Sequence, residues 1–270
     1  MTAATPRIFR VSHPVDGTPT LACCVDDRLF AVDGTIEDCH RRHRRGEDFS
    51  TGTALGALST AQILTPVQPS KVVCVGLNYI HHAEEMNKAV PEEPLLFLKP
   101  PTAVIGPGEF IELPPASSEV HHEGELAIVI GNTLRDATEE EAMAAVFGYT
   151  CACDITARDI QRREKRYTRA KGFDTFAPMG PAIALAPGFI PAHHGLRCAV
   201  NGELRQESSL DDFIFPIPFV LSFISRIMTL APGDVVLTGT PAGVGPIKSD
   251  DTVTVRIDGI GTLENPVRPR

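Results

Sequence analysis

The sequence predicts a mostly β fold with a few helices, of the α+β class. Three observations carry this. Short runs rich in Val, Ile and Leu recur along the chain, each bounded by Gly, Pro, Asn or Asp. Helix-period patterns are few, the longest covering Phe215 to Leu230. No regular strand–helix alternation marks a parallel βαβ sheet. With 270 residues, the chain fits one large domain, or one domain with a small extra piece.

Residues 1–66 read as a small β-rich domain and residues 67–270 as the main domain. In the first, Ile8–Val11 and Thr20–Val25 are short strands with Asp16-Gly17 as turn material. Leu29–Val32 with Asp33-Gly34 is a third. The basic cluster Arg41 to Arg45 reads as a solvated helix face or loop, and Leu64 to Ser70 as a linker. The main domain opens on the buried strand Lys71–Gly76. Asn78 is placed to cap a helix from about Tyr79 to Asn87. Pro94 to Pro100 is a strand closed by prolines. Thr138 with Glu141 forms a capping box for a helix through Val146, and Phe147–Cys153 is a strand that ends at Asp154.

From Thr156 a helix carries Arg158, Gln161, Arg162, Arg163, Lys165 and Arg166. It is either a solvated surface helix or a mobile positive flap over an anionic substrate. After residue 181, short strands and turns dominate. Asn201-Gly202 is a hairpin turn, and Asp234 to Pro241 is a strand running into a tight loop. Thr252–Ile257 and Gly261–Val267 close the chain as strands.

A net charge of −9 argues against general nucleic-acid binding or an anionic membrane surface. The absence of Trp removes the best stacking platform for bases. Seven cysteines in an odd set without framework spacing read as reduced, buried thiols of a cytoplasmic protein. Met1 to Arg10 lacks the apolar core of a signal peptide, and no apolar run approaches the ~20 residues of a membrane span.

The chemistry gathers at His121-His122-Glu123-Gly124-Glu125, which opens the apolar run Leu126 to Ile130. On a strand, Glu123 and Glu125 share a face. Two such carboxylates repel unless a cation lies between them or one takes a proton. Asp154 arrives at the end of a different buried strand as a third oxygen donor. An all-oxygen set selects a hard cation, Mg²⁺ or alternatively Mn²⁺ or Ca²⁺. Zinc sites prefer His or Cys with one carboxylate, so His121 and His122 are read as supporting residues rather than ligands. His82 and Glu85 are neighbours on one helix face. They form either a general-base pair or an exposed ion pair. Lys171 offers a point charge to a substrate carboxylate or enolate. The loop Thr238-Gly239-Thr240 offers hydroxyls and amides as an anion cradle.

These residues resemble the fumarylacetoacetate hydrolase superfamily, in its bacterial acylpyruvase or oxaloacetate decarboxylase-like branch. The matching blocks run from Lys71-Val72-Val73-Cys74-Val75-Gly76-Leu77-Asn78-Tyr79, with His82 and Glu85, through Leu96-Phe97-Leu98-Lys99-Pro100 and His122-Glu123-Gly124-Glu125-Leu126. They continue with Asp154-Ile155-Thr156-Ala157-Arg158-Asp159, Gln161, Lys171-Gly172-Phe173-Asp174, Val200 to Gln206 and Leu237 to Pro246. Each is weak alone; their order makes the match specific. The resemblance implies a mixed β-sandwich roll, usually a homodimer, with Mg²⁺ or Mn²⁺ on Glu123, Glu125 and Asp154. It makes His82 and Glu85 the water-activating dyad on a segment that orders over substrate. It places Lys171 and Gln161 along the site and Thr240 on the substrate carboxylate. Arg158, Gly239 and Tyr79 complete the expected substrate-contacting set.

Two departures stand out. Relatives often carry Arg-Asp where Ile80-His81 stand, and Asn-Thr-Ser-Asp-Met where Ser209-Leu210-Asp211-Asp212-Phe213 stand. The expected activity is metal-dependent C–C hydrolysis of a β-diketo acid of the acylpyruvate or fumarylpyruvate type. The alternatives on the same site are oxaloacetate-type decarboxylation and isomerisation of a 2-hydroxyhepta-2,4-diene-1,7-dioate. A non-catalytic metal-binding relative is a more distant alternative, disfavoured by the intact His82, Glu85 and Lys171.

Overall fold

The computed structural model describes residues 6–86 and 89–270. Its largest feature is an eleven-stranded sheet. The order across it is Ala54–Ala57, Arg28–Val32, Pro19–Val25, Arg7–Ser12, Ala177–Leu185, Val146–Cys153, Gly124–Ile130, Val235–Leu237, Val72–Gly76 and Leu95–Lys99. Val104–Ile105 joins beside Ala177–Leu185. A second sheet of five strands is built on the 195–209 hairpin and the C-terminal strands Thr252–Ile257 and Gly261–Pro269. A three-stranded sheet joins Thr156–Ala157, Val120–His122 and Gly245–Ile247. The mostly β class follows from these layers.

The strand Gly124–Ile130 is buried at every position. Leu126, Ile128 and Ile130 face one core cluster with Leu196, Val255 and Ile224. Ala127 and Val129 face the other, with Ile8, Phe147 and Val72. A strand covered on both faces needs a continuous apolar run rather than an alternating one, which is what residues 126–130 supply. The strands before residue 66 are the outer half of the same sheet: Arg7 and Ile8 pair with Ala184 and Ile183. Cys23, Val32 and Phe49 pack into one cluster with Val72 and Leu237, so residues 6–66 share both sheet and core with the rest.

Several local expectations are met in detail. Thr138 and Glu141 make the reciprocal capping box at the start of helix Glu139–Ala144. Asn201 and Gly202, with φ of 53° and 78°, turn between Val200 and its partner Glu203. Both left-handed conformations favour Asn and Gly, as a two-residue hairpin turn requires. The apolar stretch 215–230 forms helix Ile217–Ser225, with Pro216 as its N-cap. All seven cysteines are free. No helix among the described residues is long and apolar enough to cross a membrane.

Two expectations are corrected. The helix after residue 78 is Ile80–Glu85, capped by Tyr79 with no side-chain bond, and Asn87 lies outside the described residues. Asn78 instead donates to the carbonyls of Thr238 (2.8 Å) and Phe215 (3.2 Å), and accepts from Phe215 N–H (2.8 Å). Its amide satisfies backbone groups of two distant loops, which a cap would leave unpaired. The charged stretch from 156 is two helices, Arg158–Glu164 and Tyr167–Lys171, broken where Lys165 turns left-handed (φ 51°). It is not solvated all round: Arg158, Ile160, Ala170 and Lys171 are buried.

Candidate active site

The site forms where neighbouring strands of the large sheet end together. Gly124 pairs with Cys153, so Glu123 and Asp154 are the next residues outward on adjacent strands. Asp154 N–H donates to the Glu123 carbonyl at 2.8 Å. Carboxylate oxygens of Glu123, Glu125 and Asp154 come within 4.8 Å of one another, and all three residues are buried.

Three cations meet these carboxylates unevenly. Lys171 Nζ donates to Glu123 Oε2 (2.9 Å), Asp154 Oδ2 (2.5 Å) and Thr156 Oγ1 (2.7 Å). Arg158 pairs with Glu123 Oε1 and donates to Gln161 Oε1 at 2.5 Å. Lys99 pairs with Asp154 Oδ1 and donates to the Ile155 carbonyl at 3.0 Å. Glu125 accepts the Gly239 N–H at 2.7 Å and has no ion-pair partner among the described residues.

The pKa directions follow this partition. Burial pushes the Glu123 carboxyl up, but the charges of Lys171 and Arg158 outweigh it and hold the group well below the usual range. Burial, then the charges of Asp154 and Glu123, push Glu125 well above it. Burial lowers Lys171, while Asp154 and Glu123 more than reverse this, so it is a firm cation. Burial lowers His121 and His122 and favours neutral rings.

The donor set fits a hard divalent cation. It offers carboxylate oxygens alone, and Glu125 is a buried acid with one N–H partner and two like charges beside it. A cation at the trio relieves that repulsion. Neither His121 nor His122 joins the donor group. His121 Nε2 bonds Glu119 (2.8 Å) and His122 Nδ1 bonds Gln206 Oε1 (3.2 Å).

Above this floor, helix Ile80–Glu85 places His82 on the wall of the same pocket. His82 Nδ1 lies 3.0 Å from Glu85 Oε2, and Gly243 N–H donates to Glu85 Oε1 at 2.9 Å. The Glu85 carboxylate therefore fixes the ring from one side, leaving Nε2 for proton transfer. His82 and Lys171, Arg158, Gln161 and Thr240 all line the pocket with the trio.

Other expected residues stand differently. Tyr79 is not on the pocket wall. It is buried against Phe213, with ring centroids 5.1 Å apart, because its extended backbone turns the ring away from the face that carries His82. The expected anion cradle serves the protein itself. Gly239 N–H serves Glu125, and the Thr238 hydroxyl donates to the Leu126 carbonyl at 3.0 Å. The Thr240 hydroxyl donates to the Gly124 carbonyl (2.8 Å) while accepting from Gln206 Nε2 (2.7 Å). Its proton is therefore committed away from any substrate carboxylate. The cause is register: Val235–Leu237 pairs with Gly124–Ile130, so the loop that follows lands on the strand mouth. At Gly239 (φ +99°) a Cβ would stand 2.8 Å from Asn78 Cβ, so only glycine brings the amide this close.

Sequence reasoning gave no role to Lys99, Phe97, Tyr167 or Gln206. Phe97 lies under Lys171 Nζ at 4.9 Å and against Tyr167 at 5.1 Å. The one available signal for Lys99 was a lysine ending an apolar strand, Leu95 to Lys99.

On a mostly β fold, a buried carboxylate trio suited to a metal ion lies beneath a His–Glu pair. The chain belongs to the fumarylacetoacetate hydrolase family: the family's C-terminal domain profile matches residues 71–268. It is 44% identical over 207 residues to a mitochondrial oxaloacetate tautomerase, FAHD1, of Arabidopsis thaliana, covering 75% of this chain and 93% of that protein. A solved 5-carboxymethyl-2-hydroxymuconate delta-isomerase from Mycobacterium smegmatis superposes with a TM-score of 0.84 at 41% identity, covering 98% and 99% of the two chains. A maleylpyruvate hydrolase from Sphingobium sp. SYK-6, solved with manganese(II) and pyruvate, gives 0.81 at 32% identity, covering 97% and 99%. The enzymes of this family named here are thus a tautomerase, an isomerase and a hydrolase.

Proposed function

We propose that this protein is a divalent-metal-dependent hydrolase that cleaves a C–C bond in a β-diketo acid of the acylpyruvate or fumarylpyruvate type. The observation that carries this reading is the His82–Glu85 pair, bonded at 3.0 Å, in one pocket with the carboxylate trio. Glu123, Glu125 and Asp154 would hold Mg²⁺ or Mn²⁺, which supplies Lewis acidity toward a 2-oxo acid. The manganese and pyruvate in the Sphingobium hydrolase support both halves of that statement.

His82, oriented by Glu85, takes a proton from water as the water oxygen bonds to the distal keto carbon. The C–C bond then breaks, and its electron pair stays on the carbon of the 2-oxo acid fragment as an enolate. Lys171, a buried ammonium on the pocket wall, balances the developing charge. His82 returns its proton to that carbon, giving a carboxylic acid and a 2-oxo acid.

A second reading is proton transfer without water attack, as a tautomerase or isomerase. It is supported by the 44% identity to an oxaloacetate tautomerase and by the isomerase structure at 41%. Purified protein would be assayed on acetylpyruvate, fumarylpyruvate, oxaloacetate and a 2-hydroxydienedioate, with Mg²⁺, Mn²⁺ or EDTA. The hydrolase reading expects pyruvate and the matching acid in equal amounts, lost in EDTA. Enol–keto exchange of oxaloacetate with no cleavage of either acylpyruvate would replace it with the second reading.

A further inference from the structure

We propose that Gln206 is a positioning residue that fixes Gly124, the residue between Glu123 and Glu125. The inference rests on reading the carboxylate trio as a cation site. Gln206 lies on the strand Glu203–Ser209 of the five-stranded sheet, where Glu203, Leu204, Arg205 and Glu207 are all exposed. A bulge changes this. Cys198 pairs with Gln206 but Ala199 pairs with Leu204, which leaves Arg205 as the extra residue. The bulge re-aims Gln206 inward, and its side chain is buried below the mouth of Gly124–Ile130.

There its amide closes a ring of bonds. Oε1 accepts from Gly124 N–H at 2.9 Å, and Nε2 donates to Thr240 Oγ1 at 2.7 Å and to the Pro241 carbonyl at 2.8 Å. Thr240 in turn donates to the Gly124 carbonyl at 2.8 Å. Both polar groups of Gly124 are thereby held, one by Gln206 and one by the residue Gln206 holds. The amide orientation is unambiguous, since only an oxygen can face Gly124 N–H and only the NH₂ can face the Pro241 carbonyl. A side chain at position 124 is excluded, because a Cβ there would stand 2.8 Å from Cys198 Cβ.

The clamp matters because Gly124 is the link between two carboxylates that must point at one spot. The strand Val120–His122 ends just before Glu123 and the strand Gly124–Ile130 begins just after it, so Gly124 sits at a strand junction where its N–H is held by Gln206. Residues that orient ligands in this way typically change metal affinity by roughly 10- to 100-fold when removed.

The test is Mn²⁺ binding by calorimetry to the full-length, EDTA-stripped protein. Gln206→Met and Thr240→Val are compared with the parent, alone and together, each checked for cooperative unfolding in EDTA. Each single variant should bind Mn²⁺ about 10-fold or more weakly. The double variant should be no weaker than the worse single, because both release the same residue, Gly124. Should Gln206→Met not fold, Thr240→Val breaks the same ring and carries the test. Parent-like affinity in the folded variants, or losses that multiply, overturns the role of Gln206 while leaving the trio intact. A parent protein that binds no Mn²⁺ overturns the trio reading and this inference together.

Discussion

The floor of the site and the helix above it are built on opposite terms. The carboxylates of the floor lie at the ends of central strands and its cations come from an edge strand and two helices; Glu123, Glu125, Asp154, Lys171, Lys99 and Arg158 are all buried, and Glu123 and Asp154 each meet two of the three cations. The helix Ile80–Glu85 is six residues long and has no side-chain cap. Its Ile80 is half exposed, and His81 pairs only with Glu84 at the surface. Short helices gain little stability of their own and depend on tertiary contacts. Here those contacts include the bond from Gly243 N–H to Glu85. The contrast teaches that the buried charge cluster is built into the fold, whereas His82 sits on a lightly held element.

The largest break in this contrast comes from Asp154→Ala. It leaves Lys99 and Lys171 buried without their shared partner. Unfolding in denaturant should show a loss of about 3–5 kcal/mol, and calorimetry should show no Mn²⁺ binding. A variant as stable as the parent would mean that the floor is not a coupled charge network.

His82→Ala tests the other side. Cleavage should fall by roughly a hundred- to ten-thousand-fold, with Mn²⁺ affinity unchanged. If both fall together, floor and helix are one unit and the division is wrong.

Proton linkage sharpens the floor further. Glu125 has a raised pKa in the folded protein, so it stabilises the fold where it is protonated, and that contribution is lost as pH rises through its folded pKa. Glu123 is held low, so its contribution is present above the ordinary carboxylate range and lost as pH falls below it. A cation must displace the Glu125 proton. Mn²⁺ affinity should therefore rise as pH rises above the ordinary carboxylate range, with up to about one proton released. Calorimetry in buffers of different ionisation heat measures the release directly; none at any pH would remove Glu125 from the ligand set.

The smallest effect belongs to the surface of the helix. Ile80→Arg with His81→Asp should change KM by a few-fold. It should leave stability within about 0.5 kcal/mol, because Ile80 is half exposed and His81 lies at the surface.

Much of this was legible in the chain. The run Leu126 to Ile130 identified a strand covered on both faces, because continuous apolar sequence of strand length has few other uses. Glu123, Glu125 and Asp154 were readable because each adjoins such a strand. His82 and Glu85 were readable because three residues make one helix turn. Tyr79 came from the resemblance alone, and where its ring lies depends on a contact with the distant Phe213. The resemblance placed Thr240 on the substrate carboxylate; its bond to Gly124 was not readable because it spans 116 positions of sequence.

Local periodicity and side-chain chemistry were enough to read the donor types and the strands that carry them. Tertiary structure alone decided how charge is shared across the floor. Lys99 reaches Asp154 across 55 positions, Lys171 reaches Glu123 across 48, and Gly239 reaches Glu125 across 114. Those meetings depend on strand order and register in a sheet assembled from distant segments, which short-range pattern does not encode.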